Sequence, residues 1–418
     1  MEGLSKKSIT RNYLFLAALM GAIVLGCIVG ALWPGATVLQ PLGAVFINLM
    51  FCIVVPLVFC SIASSIANMS ERRRVGKIMG TTMAVFLITG FIACLIMIAL
   101  MRIFPPVLTP WRNVPQGIVS EQADVSTLIV NFFTVSDFSQ LLTRRAMLPL
   151  IVFATLFGFG VSLVGGKDSM VGKFLDNMTE VMIKIVKLVT YYAPIAFFGL
   201  FAALVAEYGP QLIGDYGRAM AVYYPLCLIY IFTAFPLFAW FGGGKGAIRV
   251  MFKYLFRPVI TALGTCSSVA TMPTNMDVAK ETGISKEITD IVMPLGANLH
   301  MDGSCFSAVL KIAFLFGVFG IPFEGIGLMT TVIIVALLSS VAMSGIPGGG
   351  HIGEFVLCLV FFPENMAIAY PIAITIGNLV DPPATMINAS GDYVVSFIVS
   401  RFVTGKEWLQ NVLMKQAA

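Results

Sequence analysis

Long apolar runs separated by short polar turns make up most of this chain. They fall at residues 12–34, 38–68, 76–104, 126–166 (broken), 174–206 and 214–241. A helix crossing a hydrocarbon core needs about 20 such residues. The first run, Tyr13 to Trp33, contains no charge. No acid-poor targeting segment or cleavage site precedes it, so it is expected to be retained as a helix. Beyond residue 241 the pattern changes, because Gly, Pro, Ser and Asn interrupt apolar arms at what should be membrane depth. The interruptions are Gly264-Thr-Cys-Ser-Ser-Val-Ala-Thr-Met-Pro273, Asn298-Leu-His-Met-Asp-Gly-Ser304, Ser344-Gly-Ile-Pro-Gly-Gly-Gly-His351 and Asp381-Pro-Pro-Ala-Thr-Met-Ile-Asn-Ala-Ser-Gly-Asp392.

Irregular backbone in hydrocarbon leaves N–H and C=O groups unpaired unless protein or a polar cavity satisfies them. Paired interruptions in two halves of a membrane protein point to a transport site. Here the spacing repeats. Cys266 lies 36 residues before Asp302 (302 − 266), and Gly345 lies 36 before Asp381 (381 − 345). Two units are expected, each a helix–breach–helix hairpin followed by a broken helix.

Composition agrees with a membrane setting. Of 418 residues, 58% are hydrophobic and 11% charged, with a mean hydropathy of +0.93, against about 25% charged in soluble domains. The net charge of +5 is spread over loops, which reads as topology signalling and not as a nucleic-acid surface. Clusters at Lys6, Lys7 and Arg11, at Arg72 to Lys77, at Lys167 and Lys173, at Lys245 to Arg257 and at Arg401 to Lys415 all fall on one side if the N-terminus is cytoplasmic. Both termini are then cytoplasmic, and the 105–127 loop lies outside. The sequons at Asn68 and Asn177 fall inside and are discounted. The eight cysteines show no CxxC spacing, so neither a disulfide framework nor a zinc site is expected. The short loops suit a bacterial inner membrane.

The chemistry sits in the last third. Asp381, Thr385, Asn388 and Asp392 are spaced i, i+4, i+7 and i+11, so they share one helix face. An ionised Asp at a helix centre costs about 2.5–3.5 kcal/mol on insertion scales; such a stripe should therefore face a cavity. Pro382 and Pro383 supply no N–H and free carbonyls one turn earlier. Carbonyl, amide and carboxylate oxygens suit a small hard cation. The small-residue tips at Ser267-Ser268 and Gly348–Gly350 would expose backbone N–H groups to a carboxylate.

In these four stretches the chain resembles the dicarboxylate/amino acid:cation symporter family, the glutamate-transporter homologues. The ordered set Ser267-Ser268, Thr271-Met-Pro273, Met301-Asp-Gly-Ser304, Gly345-Ile-Pro-Gly348 and Asn388-Ala-Ser-Gly-Asp392 carries the likeness. The resemblance implies an all-α integral membrane protein of eight transmembrane helices plus two re-entrant helical hairpins, in inverted repeats. It implies a homotrimer in the bilayer working by an elevator motion. A scaffold part (1–75 and 126–206) would hold a transport part (76–104 and 210–405), with hairpins at about 243–280 and 325–362. An amino-acid substrate would meet Cys266 and Ser268 at the inner tip, Ser304, and Ile346 and Gly350 at the outer tip. Asp381 and Thr385 would take its amino group and Asn388 its α-carboxylate, with Ala384 beside them. For sodium, Gly296, His300, Asn388 and Asp392 match one site. Asn298, Ser340, Val341 and Met343 match a second, and Asp302 with Thr89 part of a third.

Two departures bear on function. Acidic-substrate members of the family carry an Arg where this chain has Ala384 or Cys266. An unpartnered second carboxylate would be costly to bury, so a neutral amino acid is expected, unless a basic group arrives from elsewhere. The alternative is a proton-coupled symporter, or one for acidic amino acids or dicarboxylates. The family's usual Asn is replaced by His300, and its partners on helix 3 appear as Phe86 and Gly90; either the third cation site is lost, or a proton on His300 takes the ion's place. An ion channel would need repeated ligand rings along a pore. A membrane enzyme would leave the Ser/Gly tips and the Asn388–Asp392 pair without a role. Neither pattern is present.

Overall fold

The computed structural model describes residues 18, 21–67, 73–111, 114, 130, 134–143, 146–209, 211–342 and 351–417. The regular elements among them are helices. The first six are α1 (Gly21–Leu32), α2 (Gln40–Ala67), α3 (Arg73–Ile103), α4 (Met147–Leu163), α5 (Met170–Thr190) and α6 (Ala193–Tyr208). They are followed by α7 (Gln211–Gly243), α8 (Ala247–Thr265), α9 (Ser268–Thr282), α10 (Lys286–Leu299) and α11 (Asp302–Val318). The last are α12 (Ile326–Ala342), α13 (His351–Phe361), α14 (Met366–Val403) and α15 (Trp408–Ala417).

Three stretches among the described residues are long and apolar enough to cross a membrane by themselves: 76–103, 212–243 and 286–318. A further pair, 353–361 and 363–403, passes the same test together but is bent by 120°. Many large apolar side chains, such as Leu25, Ile88, Leu156 and Leu237, point outward, the surface expected where lipid is the solvent.

The helices pack as two groups. In the first, α2 lies against α4, α5 and α6. Small residues bring α1 onto α6: a Cβ added at Gly26 would fall 2.5 Å from the carbonyl oxygen of Phe198, and one at Gly30 would fall 2.9 Å from Val205 Cβ. Close packing through small residues is how helices associate without a hydrophobic drive. The 174–206 run is two helices and not one, divided at Tyr191-Tyr192, because Pro194 supplies no N–H to continue the first. In the second group, α14 is the axis, touching α3, α7, α8, α9, α10, α11 and α13. From Ala369 to Ser400 it is almost wholly buried.

Both hairpins of the second group have apolar arms. In the inner one, α8 ends at Cys266, which takes a left-handed φ of 48°. Ser267 then turns extended and caps α9, accepting from the Ala270 N–H at 3.1 Å. In the outer one, α12 and α13 are the arms; the tip, with Met343, Ile346 and Gly350, lies outside the described residues. Between the hairpins α10 and α11 are separated at His300, whose backbone is extended, and Met301, the expected break.

The break expected at Asp381–Pro383 is absent. The 38-residue α14 runs through both prolines. Pro383 cannot donate to the carbonyl of Leu379, four residues earlier. The Tyr224 hydroxyl on α7 donates to that carbonyl instead, at 2.7 Å. A neighbouring hydroxyl can thus repair a proline helix in the membrane.

Candidate functional site

The polar stripe of α14 meets the start of α11. Asn388 Oδ1 accepts from the N–H groups of Gly303 at 2.8 Å and Ser304 at 3.2 Å. Its Nδ2 donates to Ser304 Oγ at 2.9 Å and lies 3.2 Å from Met301 Sδ. Asn388 therefore caps α11, satisfying two N–H groups that a helix start leaves unpaired. This closeness requires Gly303, whose added Cβ would lie 2.9 Å from Ala384 Cα. The Gly303 carbonyl accepts from the Tyr223 hydroxyl at 2.7 Å. One turn along α14, Thr385 Oγ1 donates to Asp381 Oδ1 at 3.4 Å. The inner hairpin docks on the same helix, where Asn275 Nδ2 on α9 donates to the Ala389 carbonyl at 2.6 Å. Ser268, Ser304, Thr385 and Asn388 are all buried.

One turn further along α14 lies a cluster of charge-bearing groups. His300 is buried between two carboxylates. Its Nδ1 is 3.1 Å from Asp392 Oδ1 and its Nε2 is 3.5 Å from Asp302 Oδ1. Thr89 Oγ1 is 3.2 Å from Nε2, and Tyr230 donates to Asp302 Oδ2 at 2.9 Å. Phe86 packs on the imidazole, with ring centroids 4.7 Å apart. Two glycines make the room. A Cβ at Gly296 would fall 2.5 Å from Asp392 Cγ, and one at Gly391 would fall 2.6 Å from His300 Cε1. Asp392 Oδ2 is buried without a hydrogen-bond partner in the chain, an oxygen suited to a small cation beside the Gly296 backbone. Among the described residues no three His, Cys, Asp or Glu side chains converge as metal ligands; the imidazole stands between the carboxylates and keeps them apart.

The second set of cation residues lies nearby. Ser340 Oγ donates to the Leu337 carbonyl at 2.8 Å and contacts Cys305 Sγ at 3.3 Å. Asn298 Nδ2 donates to the Pro294 carbonyl at 3.0 Å. Val341 lies in the last turn of α12, and Met343 is beyond the described residues.

The sequence reading left out one pair. Lys311 on α11 donates to Glu354 on α13 at 2.5 Å, with both side chains about 1% exposed. Gly377 on α14 leaves space for them: a Cβ there would lie 2.9 Å from Glu354 Cδ and 3.4 Å from Lys311 Nζ. The signal was available, since an ionisable residue inside an apolar segment is by default functional.

A bundle of long apolar helices packed around buried ionisable groups is the fold of an integral membrane protein, and its sequence places it among transporters and not enzymes. Residues 15–402 match the sequence profile of the Sodium:dicarboxylate symporter family, and the chain belongs to that family of cation-coupled symporters. It is similar to a C4-dicarboxylate transport protein of Rhizobium leguminosarum, 27% identical over 94% of this chain and 89% of the relative. A C4-dicarboxylate transport protein of Deinococcus radiodurans is 28% identical over 79% of this chain and 76% of that protein. A proton/sodium-glutamate symport protein of Geobacillus stearothermophilus is 26% identical over 91% and 92%.

Proposed function

We propose that this protein carries a small acidic amino acid or dicarboxylate across the membrane together with a cation. The observation that carries the reading is the contact of Asn388 with Ser304 between α14 and α11, on the helix face that also carries Asp381 and one helical turn from the His300, Asp302 and Asp392 cluster. In this reading Asp381 and Thr385 take an amino group, which favours an amino acid over a plain dicarboxylate. Ser268 and Cys266 at the inner tip, with Ile346 and Gly350 at the outer one, receive the α-carboxylate alongside Asn388.

A neutral substrate was expected because Ala384 and Cys266 supply no cation. The names of the relatives and the buried Lys311 both support the acidic alternative. A neutral amino acid is the second reading, favoured by the fact that Glu354 already balances Lys311.

Coupling follows from the layout. Asp392 is one turn from Asn388 on α14, and Asn388 caps α11. A sodium ion on Asp392 and the carbonyls of Gly296 and His300 would fix that turn, and with it the substrate contact. Each ligand then favours the state the other binds, which is reciprocal coupling. Asn298, Ser340, Val341 and Met343 are assigned to a second ion. At the third site His300 carries a proton, both ring nitrogens donating, Nδ1 to Asp392 and Nε2 to Thr89, with the Asp302 carboxylate 3.5 Å from Nε2 as its counter-charge. The imidazolium stands where a third ion would.

For the whole molecule we assign α1, α2, α4, α5 and α6 to a scaffold that trimerises, and the remainder to a part that moves as an elevator. The outer hairpin serves as the gate, and both termini are cytoplasmic. The test is uptake into proteoliposomes of labelled L-aspartate, L-glutamate, succinate and L-alanine, under imposed sodium or proton gradients. Accumulation of an acidic substrate driven by either gradient is expected. Uptake indifferent to every cation gradient would overturn the proposal.

A further inference from the structure

The Lys311–Glu354 pair is not accounted for by stability. A buried ion pair contributes little net stability, because desolvation offsets its attraction, and apolar replacements of similar volume are often no less stable. Its position is informative. Ser304, Ser307 and Lys311 are spaced by three and four residues, so they line one face of α11. Helical side chains lean toward the N-terminus of their helix, which inclines Lys311 toward the turn of Ser307. On the packed face of α14, Asn388, Ala384, Asp381 and Gly377 follow at spacings of four, three and four. The row of α11 therefore faces the row of α14, with Asn388 and Ser304 at one end and Gly377 and Lys311 at the other. Between them Ala384 presents only a methyl group, and Ser307 Oγ is buried with no hydrogen-bond partner in the chain. Asp381 lies one turn from Gly377 on the same face of α14.

We propose that Lys311 and Ser307 form the subsite for a second, anionic group of the substrate, the distal carboxylate of a four- or five-carbon acid, with Glu354 holding the ammonium in place. This rests on the reading of the pocket as the carrier site. The amino end sits on Asp381, the α-carboxylate by Asn388 and Ser304, and the distal carboxylate takes a hydrogen bond from Ser307 and one from Lys311. Glu354 already neutralises the lysine, so the incoming carboxylate leaves one excess negative charge. The co-transported cation offsets it, which ties acidic cargo to ion binding.

The test is ligand affinity in detergent for wild type, Glu354→Gln and the double variant Lys311→Met/Glu354→Gln, which removes both charges together. The probes are L-aspartate, L-glutamate, succinate and L-alanine in sodium. Retained sodium-induced thermal stabilisation reports that a variant is folded and its cation sites intact. The double variant is expected to lose about 30-fold in affinity for the acidic probes, the scale of one charge-assisted hydrogen bond. Glu354→Gln, which frees the lysine from its competitor, is expected to bind them more tightly. Succinate bound as well as aspartate would retain the subsite while removing the assigned role of Asp381. A wild type that binds L-alanine and rejects the acids overturns the subsite and leaves the carrier reading standing. Undiminished acid binding by the double variant also overturns it. Wild type that binds none of the four sinks both. Should the double variant not fold, Glu354→Gln decides: tighter acid binding upholds the subsite, and unchanged or weaker binding overturns it.

Discussion

Replacing Gly296 by alanine tests the cation cluster with one methyl group. The added Cβ would fall 2.5 Å from Asp392 Cγ, whereas ordinary contact begins near 3.4 Å. The carboxylate must withdraw by about 0.9 Å (3.4 − 2.5). Its oxygen lies 3.1 Å from His300 Nδ1, so a retreat of that size carries the bond beyond hydrogen-bonding range. A hydrogen bond to a charged group contributes about 1.5–3 kcal/mol, which corresponds to about 10- to 150-fold in an equilibrium constant. Gly→Ala inside a helix by itself adds up to about 1 kcal/mol of stability. The two effects oppose each other: the fold should lose little, while the cation affinity should fall at least 10-fold. Thermal unfolding of the purified variant across a sodium titration separates them, because the sodium-free midpoint reports the fold and the sodium-dependent shift reports the site. A variant that is more stable than wild type and titrates with unchanged sodium affinity would refute the placement of Asp392 against Gly296.

Further perturbations follow from other contacts. Asp392→Asn removes the anion of its site, and sodium-driven uptake should fall by at least about 10-fold; unchanged sodium dependence would defeat the assignment. His300→Asn removes the imidazole between the two carboxylates, so sodium dependence should steepen while dependence on the proton gradient disappears; flux measured under separate gradients checks this. Asn388→Ala leaves the Gly303 and Ser304 N–H groups uncapped, costing about 1–3 kcal/mol for an unsatisfied buried group, and both thermal stability and substrate affinity should drop. Asp381→Ala should abolish binding of ligands bearing an amino group; retained L-aspartate affinity in a titration would contradict the pose. Tyr224→Phe deprives the Leu379 carbonyl of its donor and should destabilise by about 1 kcal/mol with uptake specificity unchanged.

Much of this protein follows from local pattern. Apolar run length locates the helices because every backbone group in hydrocarbon must be paired within its own segment. The same rule marks the inner hairpin tip at Cys266–Ser267 and the break at His300–Met301, where small or polar residues interrupt apolar arms. The face shared by Asp381, Thr385, Asn388 and Asp392 needs only the period of a helix. What the tertiary structure alone decides is which groups find each other. Pro382 and Pro383 look like a helix break until Tyr224, more than 150 residues away, supplies the missing donor. Asn388 becomes a cap for α11, and His300 bridges Asp302 and Asp392, only because Gly296, Gly303 and Gly391 admit close approach. Ala384 and Cys266 supply no cation, yet packing sets Lys311, from another helix, beside Gly377 on the helix of Ala384 and pairs it with Glu354, 43 residues further on. Helix period and membrane burial act within a segment and can be read along the chain. Electrostatic pairing in a low-dielectric interior depends on distances between segments, and those are set by how the helices pack.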